Sequence, residues 1–70
     1  MFLPFNQLPD NSRVWVYQAE RSLSEKELDI IRQKLLRFCE GWNTHGNGMP
    51  TSFEIFDHQI LVLAVDESGL

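Results

Sequence analysis

The residues best equipped for chemistry lie together in the stretch Trp42-Asn43-Thr44-His45-Gly46-Asn47-Gly48. It offers an imidazole, two carboxamides and a hydroxyl on a glycine-rich backbone. His45 could act there as acid, base or ligand, with Trp42, Asn43 and Asn47 lining a small polar pocket around it. The competing reading is a turn that reverses the chain after a helix, with His45 capping the last helical carbonyls. Next to the negative end of a helix dipole, a protonated imidazole is favoured in either case. Cys39 precedes this stretch, but no third residue is placed to orient a thiol–imidazole pair, and a buried inert thiol is expected. Cys39, His45, Asp57 and His58 lack the spacing of metal ligands, so no metal is expected, and no motif points to a cofactor. Asp66 and Glu67 are adjacent, so in a strand they would point to opposite faces; they read as a solvated strand end.

The element that delivers this loop is a helix over residues 24–40. Ser24 is an N-cap, Glu27 completes a capping box, and Leu23 and Leu28 occupy the two positions of a hydrophobic staple. Acidic Glu25, Glu27 and Asp29 precede basic Arg32, Lys34 and Arg37, the order that suits the helix dipole. Leu28, Ile31, Leu35, Phe38 and Trp42 recur at three- and four-residue spacing, and Ile30 and Leu36 widen the stripe. Gly41 is expected to end the helix as a left-handed C′ residue.

Around the helix the chain reads as strands. Residues 1–12 form an extended arm with a turn, broken by Pro4 and Pro9, whose Phe2, Leu3, Phe5 and Leu8 should pack as a lid on the domain's own core or, alternatively, be exchanged with a second subunit. Residues 13–19 are a first strand, 43–52 a loop, and 52–57 and 60–66 the two strands of a hairpin. The uninterrupted run ILVLAV belongs at the centre of a sheet. Residues 1–70 thus read as one small α+β domain of order β-α-β-β. One helix lies on a three-stranded mixed sheet of order 1-3-2, the third strand parallel to the first, as in half of a ferredoxin-like sandwich. One helix cannot cover both sheet faces. With Val14 and Val16 placed under the helix, Trp15, Tyr17, Phe56, Leu61 and Leu63 form the open face and the candidate interface. The bare first strand and the abrupt end after a core strand imply that the chain is the N-terminal part of something longer, or that a second copy completes it.

Composition narrows the function classes. The net charge is −4, and four of the six basic residues sit on the helix without clustering. Neither a phosphate-tracking nucleic-acid surface nor an anionic membrane is an expected partner. The stretch Met1-Phe2-Leu3-Pro4-Phe5 has no basic n-region and its apolar run breaks at Pro4, so it does not read as a signal peptide; no window has the length of a membrane span, and a cytoplasmic protein is expected.

The opening FLPFNQLPDNSRVWVYQA, the W-x-x-H-G element at Trp42 to Gly46 and the VDES at Val65 to Ser68 resemble a family of longer, uncharacterised proteins from Bacteroidetes-type bacteria. The resemblance spans essentially the whole chain and implies that the family's chains continue beyond it. Its members often carry the label "ABC transporter ATPase", but no G-x-x-x-x-G-K-[ST] loop is present here to cradle phosphates. The expected function is a protein-interaction or self-association module rather than an enzyme. The competing class is a small-ligand or catalytic site at the His45 loop.

Overall fold

The computed structural model describes residues 1–44 and 47–68, and of residues 43, 44 and 47 the backbone alone. Strand β1 (Arg13–Gln18) leads to helix α1 (Glu25–Gly41). Two short strands, β2 (Asn43–Thr44) and β3 (Asn47–Gly48), pair antiparallel inside the segment expected to be an open loop. The hairpin β4 (Thr51–Phe56) and β5 (Ile60–Val65) closes the chain. The arm contains a single 3-10 turn, Phe5–Gln7. The architecture is α+β, one helix on a three-stranded sheet of order β1-β5-β4, as the strand compositions imply.

The sense of one pairing differs from expectation. β5 is antiparallel to both β1 and β4, so the sheet is antiparallel throughout and not mixed. Chain direction explains it. The helix carries the chain back across the sheet, so β4 starts in the direction of β1, and the hairpin then reverses β5 between them. β1 and β4 are the parallel pair, separated by β5, which is the split βαβ of a ferredoxin-like half.

The hairpin turn fixes the register. Asp57 and His58 both have φ 55°, the sign a type I′ turn demands at its two central positions, and Gln59 N–H donates to Phe56 O at 3.0 Å. Opposed residues are Thr51–Val65, Phe53–Leu63 and Ile55–Leu61 on one side of β5, and Arg13–Val65, Trp15–Leu63 and Tyr17–Leu61 on the other. Opposed residues share a face, so every odd-numbered strand residue lies on one face and every even-numbered one on the other.

The helix begins where its signals place it. Glu27 N–H donates to the Ser24 hydroxyl at 3.2 Å, and the Glu27 carboxylate accepts from Ser24 N–H at 3.1 Å. Arg21 grips the same carboxylate with both terminal nitrogens, at 2.9 and 2.6 Å. These bonds, the Arg21 guanidinium foremost, hold the Glu27 carboxyl down to about 2. The turn of the hairpin meets this end of the helix: Leu23 N–H donates to His58 O at 2.8 Å, and the His58 ring lies 3.3 Å from the Glu25 carboxylate.

The other end departs from expectation. Gly41 is the last helical residue and not a left-handed C′. Trp42 is the C-cap, in extended geometry, its N–H reaching Cys39 O at 3.2 Å. A second, charged donor to these carbonyls comes from far away in sequence: the Met1 ammonium donates to Cys39 O at 2.9 Å and Trp42 O at 3.2 Å. A left-handed glycine is unnecessary where a cation caps the helix.

Two outcomes follow. A Cβ added at Gly41 meets nothing within 4 Å. Because the backbone there is helical, Gly41→Ala should stabilise the fold by about 0.5–1 kcal/mol in urea unfolding, whereas a left-handed C′ would be destabilised. Glu27 has a depressed carboxyl, so its contribution is complete above the unfolded value near ~4.3 and is lost as pH falls toward 2. Arg21→Gln should therefore flatten the acid limb of a melting-temperature profile taken between those limits.

Candidate functional site

The odd-numbered face takes the helix. Trp15 stacks toward Trp42 at the helix C-cap, ring centroids 6.1 Å apart, and Phe38 meets Trp42 edge-on at 5.1 Å. Leu63 and Val65 are buried on this face, and Phe53 receives the Phe2 ring of the arm at 5.6 Å. The expected interface is thereby corrected. Trp15, Tyr17, Leu61 and Leu63 lie on the helix side of the sheet, and only Phe56 is on the open side. The physical reason is reach: the Trp15 indole extends to Trp42 at the helix end, which a valine there could not, while Tyr17 on the same face lines the cavity beside the helix and stays half exposed.

The even-numbered face carries Val14, Val16, Ile60, Val62, Phe56 and Ala64, with exposed Gln18 and Glu54 at its β1 and β4 edges. The arm lies over one end of it, where Ser52 and Ala64 are buried and Phe5, Leu8 and Pro9 line a shallow hollow with Val14 and Ala64. The Ser52 hydroxyl is buried there with no hydrogen-bond partner. Away from the arm the face is open: Val14 is 52% exposed, Val16 64% and Phe56 46%. β1 is also a sheet edge, and among the described residues no strand pairs with its outer side. β4, the opposite edge, is partly occupied by the arm, with Thr51 N–H donating to Met1 O at 2.8 Å and Leu3 N–H to Thr51 O at 3.0 Å.

The polar loop resolves differently. Trp42 belongs to the aromatic cluster under the helix end, so it does not line a polar pocket. His45 and Gly46 lie outside the described residues, as do the side chains of Asn43 and Asn47. Cys39 is a free, fully buried thiol. Burial pushes its pKa up, against the pull of the nearby Met1 ammonium, so it is poorly suited to nucleophilic chemistry. Asp66 and Glu67 diverge. Hydrogen bonding from Ser68, its side chain first and then its N–H at 3.0 Å, lowers the Asp66 pKa, while Glu67 lies 3.9 Å from Arg13. Among the described residues no three His, Cys, Asp or Glu side chains converge as metal ligands. No described helix is long and apolar enough to cross a membrane.

One cavity, of about 240 Å³, opens between the first half of α1 and the turn end of the sheet, lined by Leu23, Ile31, Tyr17, Ile55, Leu61 and Gln59. Its walls are almost wholly apolar, and it holds no charged group that could orient a substrate. What the sequence missed is the Met1 amine. No residue pattern announces that a chain terminus will cap a helix.

No protein-family model, curated protein or solved structure matches the chain.

The reassigned face gives Leu63 a structural role in place of the interface expected for it. Leu63 is buried against α1, so Leu63→Ala should cost about 2–5 kcal/mol in denaturant unfolding, a large share of what a small domain has.

Proposed function

We propose that this chain is a non-catalytic interaction module that associates with a second copy of itself through β1 and the even-numbered sheet face. One observation carries the reading: Val14 and Val16, both at least half exposed, lie on the edge strand β1, whose outer side has no partner among the described residues, and Phe56 is half exposed on the same face across β5. Contiguous apolar surface and an open edge both favour a protein partner, and an edge offers backbone hydrogen bonds as well as area. A second copy suits the edge because an antiparallel β1–β1 contact about Trp15 sets Val14 of each chain opposite Val16 of the other. That continues the apolar face across the joint. The net charge of −4 argues against nucleic acid and anionic lipid as partners. We place the module in the cytoplasm on the grounds given by its sequence, and membership of the longer Bacteroidetes-type family is part of the same proposal.

Light scattering tests it. The chain of 8.2 kDa should show about twice that mass, and Val16→Glu should return it to a single-chain mass with an unchanged far-UV circular dichroism spectrum. A wild-type mass of one chain at every concentration sampled would end this reading.

A further inference from the structure

Three backbone carbonyls from separate segments converge on one amine. The Met1 ammonium donates to Cys39 O at 2.9 Å, Met49 O at 2.9 Å and Trp42 O at 3.2 Å. Each of its three protons has an acceptor. The Cys39 carbonyl belongs to the last turn of α1, where a cation is favoured by the dipole and no basic side chain is present. Gly48 leaves the space: a Cβ there would stand 3.3 Å from the Met1 Cβ. From this anchor the arm runs along β4, exchanging the bonds Thr51 N–H to Met1 O and Leu3 N–H to Thr51 O.

We propose that the Met1 α-nitrogen is a modification-sensitive latch: the arm seats on β4 while that nitrogen is a free ammonium and comes away when it is acylated. An N-acyl group leaves one N–H and no charge, so two of the three carbonyls lose a charged donor and keep their neutral ones, Trp42 N–H for Cys39 O, Met49 N–H for Trp42 O and the Thr51 hydroxyl for Met49 O, while the helix end loses its cation. The reaction that sets the latch is amide hydrolysis. For a formyl group, water's oxygen bonds to the formyl carbon, the C–N bond breaks and formate leaves as the anion. The nitrogen takes both of water's hydrogens and becomes ammonium. Unseating the arm also bares Ser52 and Ala64, which extends the open sheet face. The latch itself does not depend on that face having a partner.

The test compares residues 1–70 made by chemical synthesis with a free α-amine and with an Nα-formyl group, by amide hydrogen exchange. The formyl chain should exchange at Leu3 and Thr51 about tenfold faster or more, with the amides of β5 unchanged. A third chain, Met1→Ala with a free amine, should keep the slow rates. Equal rates at Leu3 and Thr51 in the first two chains would overturn the latch. So would acceleration spread over β5, which would make the arm part of one unfolding unit. So too would an Ala chain that exchanges like the formyl form, since the side chain would then be the anchor. These rates are read residue by residue, so they stand or fall apart from the mass of the assembly.

Discussion

The structure turns on a charge-assisted contact between the chain's first nitrogen and carbonyls at three later points. By bonding Cys39, Trp42 and Met49, the Met1 ammonium holds the last turn of α1, its C-cap and the residues leading into β4 at one place. Hydrogen bonds to a charged donor are about twice as strong as neutral ones, and here they reinforce carbonyls at the helix end whose other donors are neutral amides, Trp42 N–H for Cys39 O and Met49 N–H for Trp42 O. The rest of the arm follows from that anchor. Phe2 is delivered to Phe53 on the helix side of the sheet, and the 3-10 turn after Pro4 returns Phe5 and Leu8 to the other side. A short segment thus touches both faces by passing around the β4 edge.

The opposite end of the helix is held by different means. The turn Asp57–His58 is tight and left-handed, and its carbonyls are used twice: His58 O receives Leu23 N–H and Gln59 O receives Ala19 N–H. Gln59 adds its side-chain amide to Ala19 O at 2.9 Å. The β1–α1 connection is therefore sewn to the hairpin turn by backbone bonds, while the capping box and Arg21 fix the first helical turn. Each end of α1 is positioned by a polar device, and the apolar stripe between them needs only to fill space.

How much of this was legible in the sequence follows from how local each cause is. The start of α1 depends on residues within a few positions of Ser24, so its cap could be read residue by residue. Strand order was legible because apolar content rises from β1 and β4 to β5. The end of α1 was not legible, because the capping cation comes from Met1, and a glycine at the right place supplied a plausible local substitute. Which face takes the helix was illegible for another reason. β1 is apolar on both faces and β5 throughout, so alternation carries no sign. Only the register set by Asp57 and His58, together with the contact of Trp15 with Trp42, distinguishes them. The same ambiguity placed Trp15, Tyr17, Leu61 and Leu63 on the open side. As for the polar stretch, Trp42 was misread because an aromatic beside a loop can serve either the loop or the core.

Burial is uneven along the slab, and that unevenness bears on where further contact would count. Among the described residues, Cys39, Met49, Thr51, Ser52 and Leu63 to Val65 are buried, and all lie at the Met1 end; only Leu28 is buried near the other. The turn end has the cavity between Ile31 and Leu61 on one face and open Val16 and Phe56 on the other. The radius of gyration, 12.5 Å against about 11 Å for a rounded chain of this length, reflects a two-layer slab with a face left over. A chain this short keeps a narrow margin after its ordering entropy, so apolar area still in water at the turn end is a reserve of stability that a bound partner can draw on. The arm has taken that role at its own end of the even-numbered face. Beyond its reach the same face continues with valine, isoleucine and phenylalanine and no cover from the described chain, which is the physical reason to seek the function of this fold there and not at its thiol or its carboxylates.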